Sequence, residues 1–249
     1  MADQLPDRGV CFFLAIPYRY EICYKHCRLN KKVRYNVPAE DTEKDQDGEP
    51  TLAARLAAAS MKDKHTGKLT DTIEIAVGMK AMVLVNIAVE TDVANGTRGT
   101  VKDILLDPRD DHCDVEDGAV QLKYPPAMIL FRPDKRSNFR FEGVAEGLIP
   151  ISPSKALFTA KGKNGKKYKM TRHQYALTPG YAFTDYKSQG QTIEYIIFDL
   201  GKPAYGTLSP FSAYVALSRS RERSTIRLLR ESDEQLFQQH RENDSGRMG

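Results

Sequence analysis

The sequence is poor in the features that mark cross-linked, metal-binding or membrane-spanning proteins. It has no tryptophan and only four cysteines among 249 residues. Cys23 and Cys27 stand close together and Cys11 and Cys113 are isolated, a spacing typical of neither a disulfide framework nor a zinc site. No window approaches the run of about 18 apolar residues that a membrane helix needs. We therefore expect no metal site and no membrane partner.

A glycine-rich phosphate-binding loop is also missing. Such a loop ends in Gly-Lys followed by serine or threonine. The four Gly-Lys pairs of this chain are followed by Leu69, Asn164, Lys167 and Pro203. The acidic pairs at 110–111 and 116–117 lie in turn-rich sequence and not at the end of an apolar strand, so we expect surface acids and no magnesium role. The chain by itself is predicted not to hydrolyse ATP.

The charge is nearly balanced overall but unevenly distributed. There are 37 lysines and arginines against 33 acids, a net charge of +4. Residues 155–172 carry seven basic side chains and no acid, whereas acids crowd residues 40–49 and 107–117. The basic stretch either faces phosphates or forms a solvated lysine-rich hairpin, and the sequence leaves both possibilities open.

The order of apolar segments predicts an α/β protein with a β-rich middle. Residues 40–49 read as an exposed acidic loop and 52–61 as a helix. Strands are expected at 73–77 and 81–85, and Asn95-Gly96 predicts a hairpin turn before 97–106. Short β segments follow to residue 141. After residue 179, strands at 193–200 and 225–229 flank a helix that begins at Ser209-Pro210, which is typical of a mainly parallel sheet.

Two segments are more specific than any pattern of composition. Residues 182–192 read AFTDYKSQGQT and residues 213–219 read AYVALSR. They resemble motifs five and six of superfamily-one DNA helicases of the Pif/RecD type, including fungal Helitron-type helicases. Residues 174–181, Gly78-Met79 and residues 95–99 resemble elements of the same family in the same order.

The resemblance implies a fold and a set of domain bounds. It implies a second RecA-like helicase domain, of the P-loop NTPase type but without the P-loop half, with an inserted small Src-homology-type β-barrel. The expected segments are an N-terminal part with the acidic loop (1–72), a hairpin region (73–106), the barrel-like insertion (107–174), the segment with motifs five and six (175–231) and a polar tail (232–249).

The motif-five segment supplies the candidate DNA contacts. Thr184, Lys187 and Ser188 offer hydroxyl and ammonium donors to the phosphates of a single strand, which a translocating enzyme must hold without reading bases. Tyr186 stands where many relatives have histidine, and its ring can still stack on a base or ribose.

Three further residues are assigned to the nucleotide. Gly190 allows close approach to a phosphate, and Gln191 can hydrogen-bond that phosphate or the ribose. Arg219 is the predicted arginine finger, which stabilises charge on the transferred phosphate. The alternative for Arg219 is that it only ends a helix and interacts with the helix dipole. Tyr214 is expected in the core.

The resemblance implies part of an ATP-dependent 5′-to-3′ DNA helicase of the nucleus. ATP and Mg²⁺ would be used only together with the missing first RecA-like domain, in cis or in trans, and single-stranded DNA would be the partner. Two alternatives stay open: a stand-alone, non-enzymatic single-strand-binding module, and an inactive transposon-derived remnant.

Overall fold

The computed structural model consists of two compact units. It describes residues 10–13, 32–44, 46, 48–61, 65–87, 93–110, 113–116, 118–135, 140–163, 165–183, 192–200 and 209–229. The parallel-sheet unit is drawn from Met1–Ile22 and Tyr181–Gly249, and the β-rich unit from Cys23–Gly180. The β-rich unit is therefore inserted, along the chain, between the two parts of the parallel-sheet unit.

Short strands dominate the described residues. Among the described residues, the α-helices are α1 (Leu52–Ala59) and α2 (Pro210–Leu217), and a 3-10 turn covers Arg223–Thr225. No helix in the described part of the chain has the length and apolar character to cross a membrane. In chain order the strands are β1 (Val10–Phe13), β2 (Arg34–Pro38), β3 (Glu40–Glu43), β4 (Thr72–Ala76), β5 (Lys80–Val83), β6 (Arg98–Leu105), β7 (Asp114–Glu116), β8 (Ala119–Gln121), β9 (Met128–Pro133), β10 (Ile149–Ile151), β11 (Ser154–Lys161), β12 (Lys167–Gln174), β13 (Leu177–Pro179), β14 (Ala182–Phe183), β15 (Tyr195–Phe198) and β16 (Ile226–Leu228).

The parallel-sheet unit contains a four-stranded sheet in the order β14-β1-β15-β16. Each of its three pairings is parallel. Ile196 and Phe198 of β15 are fully buried. The parallel sheet predicted from the strand and helix alternation is thus confirmed in this unit.

Helix α2 buries its small side chains and exposes its aromatic ones. It begins at Pro210, where a missing N–H costs nothing in the first turn. Ala213 and Ala216 are buried, three residues apart on one face of the helix. Tyr214 is 69% exposed, so its predicted place in the core is wrong. The reason is angular: each residue turns about 100° around the helix, so Tyr214 points away from the face shared by the two alanines.

The described residues of the β-rich unit form three sheets. Their orders are β10-β9-β6-β5-β13, β4-β2-β8-β7 and β11-β12-β3. In the first of them β5 lies between two antiparallel neighbours, and its Ala81, Met82 and Val83 are fully buried. This confirms a buried strand within the predicted range 81–85, although it ends at Val83. The strand that follows the Asn95-Gly96 turn is β6, which pairs antiparallel with β5 as the predicted hairpin requires.

A closed barrel is not found among the described strands, because each of these sheets ends in two edge strands. Strands from the predicted insertion, residues 107–174, pair with strands that precede it: β8 with β2, β9 with β6 and β12 with β3. A register shift between Val101 and Asp103 marks a bulge in β6, a device that increases strand twist. The domain bounds derived from the sequence stay predictions.

The acidic segment 40–49 is partly a strand, and its prediction as a loop is wrong for β3. Glu40 to Glu43 pair antiparallel with β12. Asp41 is held there by Arg172, whose Nε and Nη2 each donate to the carboxylate at 2.7 Å. The segment forms a strand because Asp41 has a charge partner 131 residues away in the chain. The composition of the segment itself gives no sign of that partner.

One face of β11 and β12 packs on helix α1. Thr51 caps the helix by accepting a hydrogen bond from the Ala54 N–H at 3.3 Å. Ala54, Ala57 and Ala58 then pack against side chains of one face of the two strands. Those side chains are Phe158, Ala160, Tyr168 and Met170. Small helix residues allow the helix to approach the sheet closely, which leaves the opposite face of the strands uncovered by α1.

Candidate functional site

The predicted DNA-contact segment follows the carboxyl end of a parallel strand. Strand β14 ends at Phe183, and residues 184–191 come next in the chain. In open parallel sheets, ligands bind beyond the carboxyl ends of the strands. The segment therefore begins at the edge of the sheet that such folds use for ligands. The candidate residues themselves, Thr184, Tyr186, Lys187, Ser188, Gly190 and Gln191, lie outside the described residues.

Arg219 lies just beyond the C-terminal end of α2. Its Nε donates to the Val215 carbonyl at 2.9 Å, and its Nη2 donates to the Ser218 hydroxyl at 2.6 Å. In this conformation the guanidinium interacts with a C-terminal carbonyl of the helix, the interaction that the alternative for Arg219 predicts. Nη1 makes no hydrogen bond within the described part of the chain.

The backbone links Arg219 to the end of the motif-five segment. The Ile193 N–H donates to the Arg219 carbonyl at 2.9 Å, and Ile193 and Ser220 form a parallel bridge. Ile193 is buried and lies two residues after Gln191 in the chain. The structure thus brings the predicted finger next to the exit of the segment that carries the candidate nucleotide residues.

The basic stretch forms a hairpin, β11 and β12, that we call the lysine hairpin. All eight positions from Ser154 to Lys161 pair with positions from Gln174 to Lys167. Its six lysines are exposed, but Arg172 is buried and paired with Asp41. The predicted lysine-rich hairpin is confirmed, and its burial excludes Arg172 from any surface that meets phosphate. The period-two alternation of the lysines was the sequence signal that could have separated Arg172 from them.

The acids proposed as surface residues divide into two kinds. Glu116 is exposed, but Asp110 is largely buried and its carboxylate accepts the backbone N–H groups of Lys123 and Tyr124 at 2.9 and 3.2 Å. Asp110 therefore stabilises a loop and is wrong as a surface acid. Asp111 and Asp117 lie outside the described residues, within which no group of acids, histidines and cysteines is arranged for a metal ion.

The fold is similar to that of part of solved Pif1 helicases. Pif1 helicase from Bacteroides, in complex with ADP-AlF3 and single-stranded DNA, matches with a TM-score of 0.55 and 20% identity over 95% of this chain and 44% of that chain. Pif1 helicase from Candida albicans matches with a TM-score of 0.50 and 19% identity over 94% of this chain and 50% of that chain. This chain has the fold of part of a Pif1 helicase.

The Pif1 likeness confirms, at the level of fold, the resemblance carried by motifs five and six. Bacteroides Pif1 bound to single-stranded DNA matches as well, with a TM-score of 0.50 and 19% identity over 92% of this chain. This chain spans half or less of the length of these Pif1 chains. No family model matches the sequence, and no curated protein matches it.

Proposed function

We propose that this chain is the C-terminal part of an ATP-dependent 5′-to-3′ DNA helicase that binds single-stranded DNA and contributes an arginine finger. The observation that carries the proposal is the position of the motif-five segment. It follows β14 at the carboxyl edge of a parallel sheet, in a fold shared with a Pif1 helicase solved with ADP-AlF3 and single-stranded DNA. By the same resemblance, residues 107–174 form the inserted Src-homology-type module, and the protein acts in the nucleus.

In this proposal the motif-five residues hold the DNA backbone. Thr184, Lys187 and Ser188 donate to phosphate oxygens, and Tyr186 stacks on a base or ribose. These contacts hold a strand without reading its bases, because phosphates and ring faces occur at every nucleotide.

The residues of this chain fit only one side of an ATP molecule. The phosphate cradle and the acids that hold Mg²⁺ would come from the first RecA-like domain, because the sequence has no Gly-Lys-Ser/Thr loop. Gly190 and Gln191 would contact the nucleotide from the opposite side. Arg219 would exchange its contact with Val215 for the γ-phosphate, where its charge opposes the negative charge that develops during transfer.

The direct test is DNA binding by a Lys187→Ala variant. Fluorescence anisotropy with labelled oligo-dT, at several salt concentrations, should show weaker binding and a salt slope lower by about 0.7, the value for one phosphate contact on single strands. Lys102→Ala is the matched control, because Lys102 is an exposed lysine on β6 and its loss changes the net charge equally. Identical binding by both variants would contradict the proposal.

The same titration separates the two alternatives. Salt-dependent binding without ATP that tolerates Lys187→Ala would favour a stand-alone binding module that uses the lysine hairpin. Negligible binding by the unmodified protein and both variants would favour an inactive remnant.

A further inference from the structure

The outer face of the lysine hairpin is a separate, strongly basic surface of the β-rich unit. The pairing register places four lysines on the face opposite the one that packs on α1: Lys155, Lys161, Lys167 and Lys169. All four are exposed. Between them the same face carries Leu157, which is 80% exposed, together with Thr159, Thr171 and His173.

Acidic side chains accompany only one end of this surface. Strand β3 pairs with β12 from Met170 to His173, and its Glu40 is bonded to Arg109 at 3.1 Å. On the turn side of Met170, no acidic strand pairs with the described residues of β12. The turn adds Lys163 and Lys166, both exposed. Positive charge therefore concentrates at the turn end of the hairpin.

This arrangement works against the stability of the hairpin. Lys161 and Lys167 are direct cross-strand partners, and like charges placed opposite each other destabilise an antiparallel pair. Four lysines of the face contribute nothing to the core, because the packing on α1 uses the other face. A polyanionic partner would relieve the repulsion, since each ammonium would then lie near an opposite charge.

We propose that the lysine hairpin binds the phosphate backbone of duplex DNA, as a second DNA-binding surface distinct from the motif-five segment. Duplex DNA carries one charge per about 1.7 Å of its axis, which suits a flat cluster of cations. Lys167 and Lys169 are two residues apart on one strand, or about 7 Å. Lysine ammonium groups bind phosphates as point charges and carry no sequence information, so the contact is independent of sequence.

The composition of the face favours duplex over single-stranded DNA. Modules for single strands gain affinity by stacking bases on aromatic rings. The outer face presents lysines, threonines, Leu157 and His173 but no tyrosine or phenylalanine, because Phe158 and Tyr168 point to the opposite face against α1. Helix α1 covers that opposite face, so the hairpin cannot enter a DNA groove as an uncovered two-stranded ribbon. The binding mode left to it is contact with the phosphates.

The test compares a Lys167→Ala/Lys169→Ala double variant with a Lys102→Ala/Lys135→Ala control. All four lysines are exposed, and each variant removes two charges outside the core. Anisotropy with a short labelled blunt-ended duplex over a range of salt should show a slope lower by about 1.8 for the hairpin variant, at about 0.9 per phosphate contact, and an unchanged slope for the control. A Lys155→Ala/Lys161→Ala variant on the other strand should repeat the effect.

Two outcomes would overturn the proposal. If the hairpin and control variants bind the duplex alike, the face is not a DNA-binding surface. If the hairpin variant loses affinity for oligo-dT as strongly as for the duplex, the surface is not one for duplex DNA. Thermal unfolding should show hairpin variants at least as stable as the unmodified protein. Failure of the proposed helicase function would appear in a different experiment, the oligo-dT titration of Lys187→Ala. That substitution should leave the binding of duplex DNA unchanged.

Discussion

At the scale of single residues, Tyr175 shows how this protein buries a polar group. Its phenol is 1% exposed, and the hydroxyl donates to the Pro126 carbonyl at 2.8 Å. Its backbone N–H donates to the Gln174 side chain, whose amide in turn donates to the Val37 carbonyl. Burial raises the pKa of Tyr175 above its usual value of 10.0, because the phenolate cannot keep its hydration there.

Replacement of Tyr175 by phenylalanine is predicted to change both stability and its pH dependence. Tyr175→Phe leaves a buried carbonyl without a donor and should cost about 1 kcal/mol at neutral pH. Because the folded-state pKa is raised, the contribution of Tyr175 is fully present below pH 10.0 and is lost as the pH rises above it. Urea unfolding should show that the difference in the free energy of unfolding between Tyr175→Phe and the unmodified protein is smaller at about pH 11 than at neutral pH.

Tyr195→Phe is the control for this prediction, because Tyr195 is 38% exposed. It should leave stability nearly unchanged at both pH values. A constant gap between Tyr175→Phe and the unmodified protein across this range would show that the phenol ionises in the fold as freely as in the unfolded chain.

At the scale of elements, the glycine at the start of β6 is explained by the neighbouring strand. A Cβ at Gly99 would overlap the Arg132 carbonyl of β9 and the ring of Phe131. Phe131 is fully buried, so its ring has little room to move. The sequence indicated only a hairpin turn and its likeness to the helicase family at this position. The close approach of β9 gives the physical reason for glycine.

Gly99→Ala is therefore predicted to destabilise the protein by about 1–3 kcal/mol through overpacking. Lys102→Ala, at an exposed position of the same strand, should stay within about 0.5 kcal/mol. Urea unfolding followed by circular dichroism measures both variants. Equal stability of the two variants would mean that β6 and β9 can move apart without lowering the free energy of unfolding.

Elements with a strong local signal were predictable, and those that depend on a distant partner were not. Helix α1 follows from its run of helix-forming residues, and β5 from an apolar run that is buried on both faces. Strand β3 consists of acidic and polar residues with little strand preference. It is a strand because β12 lies beside it and Arg172 pairs with Asp41.

At the scale of the whole molecule, the chain order places a large insertion inside a parallel sheet. Strands β1 and β14 are hydrogen-bonded neighbours, although Cys23–Gly180 lies between them in sequence. The proposed catalytic role also depends on another domain, since Arg219 could act only on a nucleotide held by a phosphate-binding loop.

The chain alone is predicted to show no steady ATP hydrolysis. Addition of a first RecA-like domain in trans should produce hydrolysis that single-stranded DNA stimulates. Arg219→Ala should lower its kcat by roughly 10³-fold or more, because it removes charge stabilisation of the transferred phosphate. A coupled ATPase assay, with and without oligo-dT, measures each combination.

Arg221→Ala is the control for this experiment, since Arg221 is exposed two residues away. It should retain hydrolysis, and thermal unfolding should establish that Arg219→Ala remains folded after the loss of its bond to Val215. Hydrolysis by the chain alone that disappears in Arg219→Ala would contradict the requirement for a second domain.

The sequence by itself determined two of the four parallel strands, β15 and β16, both described helices, the hairpin turn and the likeness to Pif-type helicases, because these depend on spacing and motifs within short segments. Tertiary structure alone decided which charged side chains are exposed and which are buried in an ion pair. Arg172 belongs to the same basic stretch as Lys167 and Lys169, yet it is buried against Asp41 while they are exposed. The physical reason is that pairing across 131 residues of chain sets the environment of a charge.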